Sequence, residues 1–199
     1  LKKRLFDIVF SAFVLIFFSP LFLLLALLAK LSTGSPLFSQ ERVGKGGKPF
    51  RCYKFRTMVK EADKQLIELL KNPEIKEEWE KTQKLKNDPR ITNFGFFLRK
   101  TSLDELPQFW NVLKGDLSVV GPRPVLPEEV SKHFKEKAPK ILSIKPGLTG
   151  IWQTSGRNRL DYKKRVKLDY FYVEKQNFAL DLKLILKTIP KMVMNNDAY

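Results

Sequence analysis

From Ile8 to Ala29 the chain is almost wholly apolar, broken only by Ser11, Ser19 and Pro20. As one straight helix, rising about 1.5 Å per residue, this stretch would just cover a bilayer core. The pattern then changes. Leu37 to Arg42 and Phe50 to Phe55 read as short strands, and Gly44-Lys45-Gly46-Gly47-Lys48-Pro49 between them predicts the turn of a β-hairpin. That glycine run fits neither a Walker A nor a dinucleotide pattern. Glu61 to Leu70 and Pro73 to Lys84 read as solvated, Lys/Glu-rich helices, and Asn87-Asp88-Pro89-Arg90 as a turn. Ile91 to Leu98 leads into a helix expected from Ser102 or Leu103 to Leu113. Ser102 is its natural N-cap, and Glu105 three residues on completes a capping box. Gly115-Asp116 ends that helix, and Leu117 to Val120 reads as a short extended segment. Glu128 to Lys137, Leu160 to Val173 and Ala179 to Met192 read as helices, and Lys145 to Gly150 as a loop. The fold class expected is α+β, mostly helical with a small β-hairpin.

Two features argue against a simple membrane span. Pro20 removes a backbone hydrogen bond and kinks a helix, while the Ser19 hydroxyl can satisfy a freed carbonyl. Lys2, Lys3 and Arg4 precede the apolar run, and Lys30 and a basic remainder follow it. The positive-inside tendency prefers both flanks on the cytoplasmic side. A helix bent at Ser19-Pro20 that enters and leaves by one face meets that preference; a Pro-kinked spanning helix is the alternative. Asp7, at the edge of the run, is expected to pair with Lys3 or Arg4 one turn earlier. In the last helix Lys183, Lys187 and Lys191 recur every four residues, with Leu182, Ile185, Ile189 and Met192 toward the other side. The pattern suits a helix at an anionic lipid interface, or an ordinary amphipathic helix packed on a core.

The 199 residues suggest one domain with its own core, plus appendages. The net charge of +16 restricts partners to anions: nucleic acid, anionic lipid or phosphorylated substrates. From position 135 on there are 14 Lys/Arg against 6 Asp/Glu. A single cysteine, Cys52, excludes an internal disulfide. With one histidine, His133, expected on a helix surface, a zinc site or a Ser-His-Asp triad has little to build on.

The candidate chemistry centres on Asp104 and Glu105. On a helix, neighbours project about 100° apart, so they are not a shared-proton dyad. A carboxylate there can attack phosphorus, giving an acyl phosphate, or bind Mg²⁺ through oxygen. Arg99 precedes the same helix. Lys54 and Arg56 alternate on a strand and so share a face. Arg123 is held stiffly between Pro122 and Pro124. Each cation alone reads as a surface ion-pair partner; together they suit a bound phosphate.

These residues fall in motifs that resemble the bacterial sugar transferases, also called monotopic phosphoglycosyl transferases. The matching stretches are Lys2 to Asp7 with Ser19-Pro20, Gln40 to Gly44, Lys54 to Met58, Asp88 to Thr92, Arg99 to Asn111, Gly115 to Pro124, Lys145 to Gln153 and Leu168 to Tyr170. They run in order over nearly the whole chain. The resemblance implies transfer of a sugar-1-phosphate from a UDP-sugar to polyprenyl (undecaprenyl) phosphate, with UMP released. It implies ping-pong order through a phospho-sugar-aspartyl intermediate on Asp104, with Glu105 as its partner and Mg²⁺ held by both. Lys54 and Arg99 match positions near the phosphates, and Pro122-Arg123-Pro124 a motif near the nucleotide. It further implies that Ser19-Pro20 is the hinge of a re-entrant helix over 1–31. Residues 32–199 then form a catalytic domain with interfacial C-terminal helices, on the cytoplasmic face of the inner membrane. The product would initiate exopolysaccharide, capsule or O-antigen synthesis. Membrane lipid is an implied partner, a homodimer is left open, and nucleic acid is not expected. The stretch from Trp152 to Asp181 resembles the C-terminal part of members that carry extra N-terminal regions. The chain is thus expected to be a minimal member or a catalytic fragment, with Leu1 in place of Met hinting at trimming.

Two other classes compete. A basic module binding anionic lipid or nucleic acid explains the charge and the apolar start, but not the carboxylates beside Arg99, and no aromatic platform for bases is patterned. A membrane phosphatase or nucleotidyl-lipid transferase would use the acidic pair equally well, but the ordered motifs argue against it.

Overall fold

The computed structural model describes residues 2–82, 85–156 and 160–193. The expected end of the second solvated helix at Lys84 falls outside these residues, as do the side chains of Lys191 and Met192. The apolar start forms two helices, α1 (Lys2–Phe17) and α2 (Ser19–Thr33), bent by 67° at the break. Pro20 stands in the first turn of α2, where its missing N–H is tolerated, and Gly34 in the left-handed region closes the helix. No single described helix is long and apolar enough to cross a membrane; the bent pair together satisfies the length and composition.

The hairpin expected from the turn-rich run is present. β1 (Leu37–Val43) and β2 (Pro49–Phe55) pair antiparallel, with Leu37 opposite Phe55 and Val43 opposite Pro49. Two short helices, α3 (Ala62–Leu69) and α4 (Pro73–Thr82), make an excursion. A bridge from Met58 to Ile91 and a bidentate Arg90–Asp88 ion pair close its base. Thr92 then caps α5 (Asn93–Thr101) by accepting the Gly95 N–H.

At the acidic motif the structure corrects the expected capping box. Ser102 is the left-handed residue that ends α5, and its side chain caps nothing. Leu103–Glu105 is a single 3₁₀ turn, and the helix proper, α6 (Gln108–Lys114), begins only after Pro107. The proline explains the delay: it cannot continue a helix interior, so the carboxylates stay in the tighter turn before it. The segment expected as a loop at Lys145–Gly150 contains a strand, β4 (Gly147–Thr149), parallel to β3 (Ser118–Val120). Glycine at 147 permits this, since a Cβ there would lie 2.0 Å from the Gly121 nitrogen. The helix expected over Glu128–Lys137 is irregular. It starts as α7 (Pro127–Glu129), passes through a π turn and a 3₁₀ turn, and ends as α8 (Ala138–Ile141). His133 stacks on Tyr162, with ring centroids 3.7 Å apart. Helices α9 (Ile151–Ser155), α10 (Tyr162–Lys175) and α11 (Phe178–Val193) follow. The architecture is mostly helical with two small sheets, as the α+β expectation has it.

Three apolar clusters hold these parts together. Val112, Leu117, Val120 and Tyr172 form one, against which Phe6 and Phe10 of α1 pack. Leu25 of α2 joins Phe55 and Leu98 in a second, and Val125, Phe134, Ile141 and Val166 make a third. The two limbs of the bent pair therefore pack on different clusters, while Leu5, Val9, Ile16, Leu23, Leu27 and Leu31 remain exposed.

Asp7 departs from its expected pairing with Lys3 or Arg4. It is buried and accepts hydrogen bonds from Ser118 Oγ (3.1 Å) and the Val119 N–H (3.0 Å). Lys3 instead pairs with Asp181 at 2.5 Å, and Arg4 donates to the Val112 and Leu113 carbonyls at the end of α6. On α11 the buried side is Asp181 and Leu184, leaving Leu182, Leu186 and Ile189 exposed with Lys183 and Lys187.

Candidate active site

Strand β2 delivers Lys54 toward the acidic turn. Its ammonium lies 2.6 Å from Glu105 Oε1 and 3.7 Å from Asp104 Oδ2, so one cation serves both carboxylates. The two acids thus converge on a common charge although they are neighbours in sequence. Asp104 is buried, and burial pushes its pKa up to about 6. Lys54 and Arg99 oppose that rise, and Glu105 adds to it. Burial pulls the Lys54 ammonium down, but Glu105 and Asp104 outweigh it, and the group ends above its ordinary value. Burial, which favours the protonated Asp104, and the Lys54 and Arg99 cations, which favour the charged form, are thus set against each other at one carboxyl.

Arg99 is positioned by α5. Its Nε donates to Thr57 Oγ1 at 2.9 Å, just beyond the end of β2. The helix reaches that strand end because residue 95 is glycine: a Cβ there would stand 2.0 Å from the Thr57 carbonyl oxygen. Burial lowers the Arg99 pKa, with Asp104 and Asp88 opposing. Arg123 leaves the end of β3, and its guanidinium lies 5.6 Å from the centre of the Trp152 ring. Arg165 lies 4.8 Å from the same ring. Behind Trp152, burial raises the Asp169 carboxyl well above its usual range, with the Trp152 indole and the Arg123 backbone N–H opposing the rise.

Lys54, Arg56, Arg99, Asp104, Glu105 and Arg123 all line one cavity of about 560 Å³. Six of the site residues expected from sequence are thereby brought together. Pro122 and Pro124 do not line it; they flank Arg123, and the Pro122 carbonyl accepts the Gly147 N–H at 2.7 Å. Ser19 and Pro20 lie at the helix break, away from the cavity. Sequence reasoning assigned no role to Gln40, Arg42, Thr57 or Trp152, which also face the cavity. Alternation on β1, which puts Gln40 and Arg42 on one face, is the signal that could have found the first two. Arg42 also pairs with Glu129, which the Tyr162 hydroxyl contacts in turn.

The donor set suits a magnesium ion better than a softer metal. Among the described residues no three or more His, Cys, Asp or Glu gather as ligands. Two carboxylates beside cations that can hold phosphates match an ion that takes few protein ligands and completes its shell from phosphate oxygens and water. The arrangement can stabilise a pyrophosphate and offers a poorly solvated carboxylate beside it.

Comparison with known proteins gives this geometry a context. The profile of the bacterial sugar transferase family matches residues 1–195. The undecaprenyl-phosphate galactose phosphotransferase of Salmonella typhimurium is 48% identical over 198 residues, 99% of this chain and 41% of that protein. An uncharacterized sugar transferase of Haemophilus influenzae is 47% identical over 99% of this chain and 42% of its own length. The exopolysaccharide production protein ExoY of Rhizobium meliloti is 45% identical over 100% of this chain and 88% of its own. The chain thus spans about two fifths of the first two relatives and most of the third. On these matches, the chain belongs to the bacterial sugar transferase family.

Proposed function

We propose that the protein transfers a sugar-1-phosphate from a UDP-sugar to polyprenyl phosphate and releases UMP, as an early step in building a surface glycan. The observation that carries this reading is the buried Asp104 carboxylate, facing a cavity lined by Lys54, Arg56, Arg99 and Arg123.

The chemistry follows in two displacements. A carboxylate oxygen of Asp104 attacks the phosphorus that bears the sugar, and the bond from that phosphorus to the bridging oxygen breaks, so UMP departs with the electron pair. An oxygen of the lipid phosphate then attacks the same phosphorus and expels Asp104 as a free carboxylate. The products are UMP and a polyprenyl-diphospho-sugar, and the enzyme is regenerated. Lys54 and Arg99 neutralise charge on the oxygens around phosphorus, and Arg123 holds the nucleotide side. Mg²⁺ held by Asp104 and Glu105 would supply further neutralisation of the pyrophosphate. The names of relatives support the acceptor class: one is an undecaprenyl-phosphate galactose phosphotransferase and another, from Klebsiella pneumoniae, a UDP-glucose:undecaprenyl-phosphate glucose-1-phosphate transferase.

The bent pair α1–α2 supports a monotopic setting on the cytoplasmic face of the inner membrane. Its exposed apolar side chains would enter the bilayer from one face, and Ser19-Pro20 would be the turning point. The test is direct. Protein in nanodiscs is given Mg²⁺, polyprenyl phosphate and a panel of UDP-sugars, and UMP is measured beside Asp104→Asn. UMP from one sugar, absent in the variant, supports the reading; no UMP from any sugar, with folded protein, sinks it.

A further inference from the structure

The cavity lining is mixed. Strands β1 and β2, α5, the acidic turn and the Arg123 loop carry its charged side chains, and the hairpin adds Phe38 and Phe55. Phe10 of α1, Phe109 of α6, Leu148 of β4 and Ile185 and Ile189 of α11 contribute five apolar side chains and no charge. The Phe10 and Phe109 rings are 6.1 Å apart. Thr188, between the two isoleucines, contacts the Thr149 hydroxyl at 2.6 Å and so fixes α11 against β4. Ile189 is 58% exposed and stands at the rim, beside Leu186 and Leu182 on the outer side of the same helix.

A UDP-sugar is charged at its pyrophosphate and hydroxylated on both sugars, and only the face of its uracil can stack on a ring, so it does not account for aliphatic Leu148, Ile185 and Ile189 beside the two phenylalanines. The second substrate of the proposed reaction is an amphiphile, whose phosphate needs cations while its adjoining carbons need an apolar surface. We infer that Phe10, Phe109, Leu148, Ile185 and Ile189 seat the first isoprene units of the acceptor lipid while the cations hold its phosphate. Helix α11 thereby becomes the acceptor-selecting wall. The assignment rests on the phosphoglycosyl transfer proposed above.

The two half-reactions separate the claims. Without acceptor, the UDP-sugar gives a burst of UMP that reports the donor half alone. With acceptor, kcat/KM is compared for methyl phosphate, which has no chain, and farnesyl phosphate. Wild-type protein should favour farnesyl phosphate by about tenfold or more, equivalent to about 1.4 kcal/mol. Ile185→Ser and Ile189→Ser should lose most of that preference while the acceptor-free burst keeps its amplitude. Should Ile185→Ser fail to fold, the exposed Ile189 decides. The seat is refuted if both chain lengths react alike in wild type, or if folded variants keep the full preference. Absence of any burst in wild type would instead rule out the aspartyl intermediate and leave the chain-length comparison to decide the seat; absence of UMP with acceptor also present would overturn the transfer reading, and the seat with it.

Discussion

The side-chain oxygen of Asn111 accepts the backbone N–H of Tyr53 at 3.0 Å. Its amide nitrogen donates to the Arg51 carbonyl at 2.7 Å, so one buried side chain occupies the edge of β2 that β1 leaves open. Tyr53 directly precedes Lys54, and only Leu106 and Pro107 separate the acidic turn from α6. The pair therefore sets how the ammonium meets the two carboxylates. Asn111→Ala removes the fully buried partner of two part-buried backbone groups, the Tyr53 N–H and the Arg51 C=O, and should cost about 1–3 kcal/mol in urea denaturation. Asn111→Asp keeps the acceptor, loses the donor and adds a charge near Asp116, so it should also destabilise.

Asp104 is held at a cost. Its pKa, pushed up to about 6 by burial, lies above the ordinary value of 3.8, so the folded state binds a proton more tightly than the unfolded chain. Stability contributed by this group is then present at low pH and lost as pH rises from about 4 through about 6. Asp104→Asn should abolish UMP release yet raise the melting temperature at pH 7.5, with a gain on the order of 1–3 kcal/mol that fades toward pH 4. Thermal melts of both proteins across that range check it; a variant less stable than wild type at pH 7.5 would contradict it.

Gly95→Ala should uncouple Arg99 from the site. The new methyl cannot fit 2.0 Å from the Thr57 carbonyl, so α5 must move and carry the Arg99–Thr57 contact with it. Expected outcomes are a loss of about 2 kcal/mol or more in stability and at least a tenfold fall in kcat/KM for the UDP-sugar.

The bend between α1 and α2 predicts a topology. Lys2 and Lys30 are both exposed and flank the pair. If the pair re-enters, Lys2→Cys and Lys30→Cys should react with an impermeant maleimide from the same side of the membrane. Cys52 is buried and should stay silent. Labelling from opposite sides would establish a kinked span instead.

Much of this organisation is legible in the sequence. The hairpin followed from two alternating runs about a glycine turn, and the helix break from Ser19-Pro20. The cations are each recognisable in the sequence, and the motifs around them carry the family resemblance. What stayed hidden was long-range. The capping box at Ser102 and Glu105 satisfied a local rule, but Pro107 and a left-handed Ser102 redirected the chain, and Glu105 found Lys54, 51 positions away. Asp7 had cations one turn earlier and took backbone and hydroxyl partners more than 100 residues away. Strand β4 is too short to announce itself, and parallel pairing leaves no hairpin signal. Local pattern reports which elements form; it is silent on which distant group a buried charge will choose.

The two cations near the start of α1 have a consequence for how the proposed membrane anchor can be inherited. Lys3 is committed to Asp181 and Arg4 to the final carbonyls of α6. Charges that would ordinarily set orientation at a membrane surface thus also serve as internal fastenings of the folded body. An anchor of this kind is not an interchangeable part: a foreign hydrophobic helix grafted in its place would attach the protein to lipid and still leave α6 uncapped and Asp181 without its cation. Recombination among proteins of this kind should therefore move the bent pair together with the body it clasps, with crossovers falling before α1 rather than after α2.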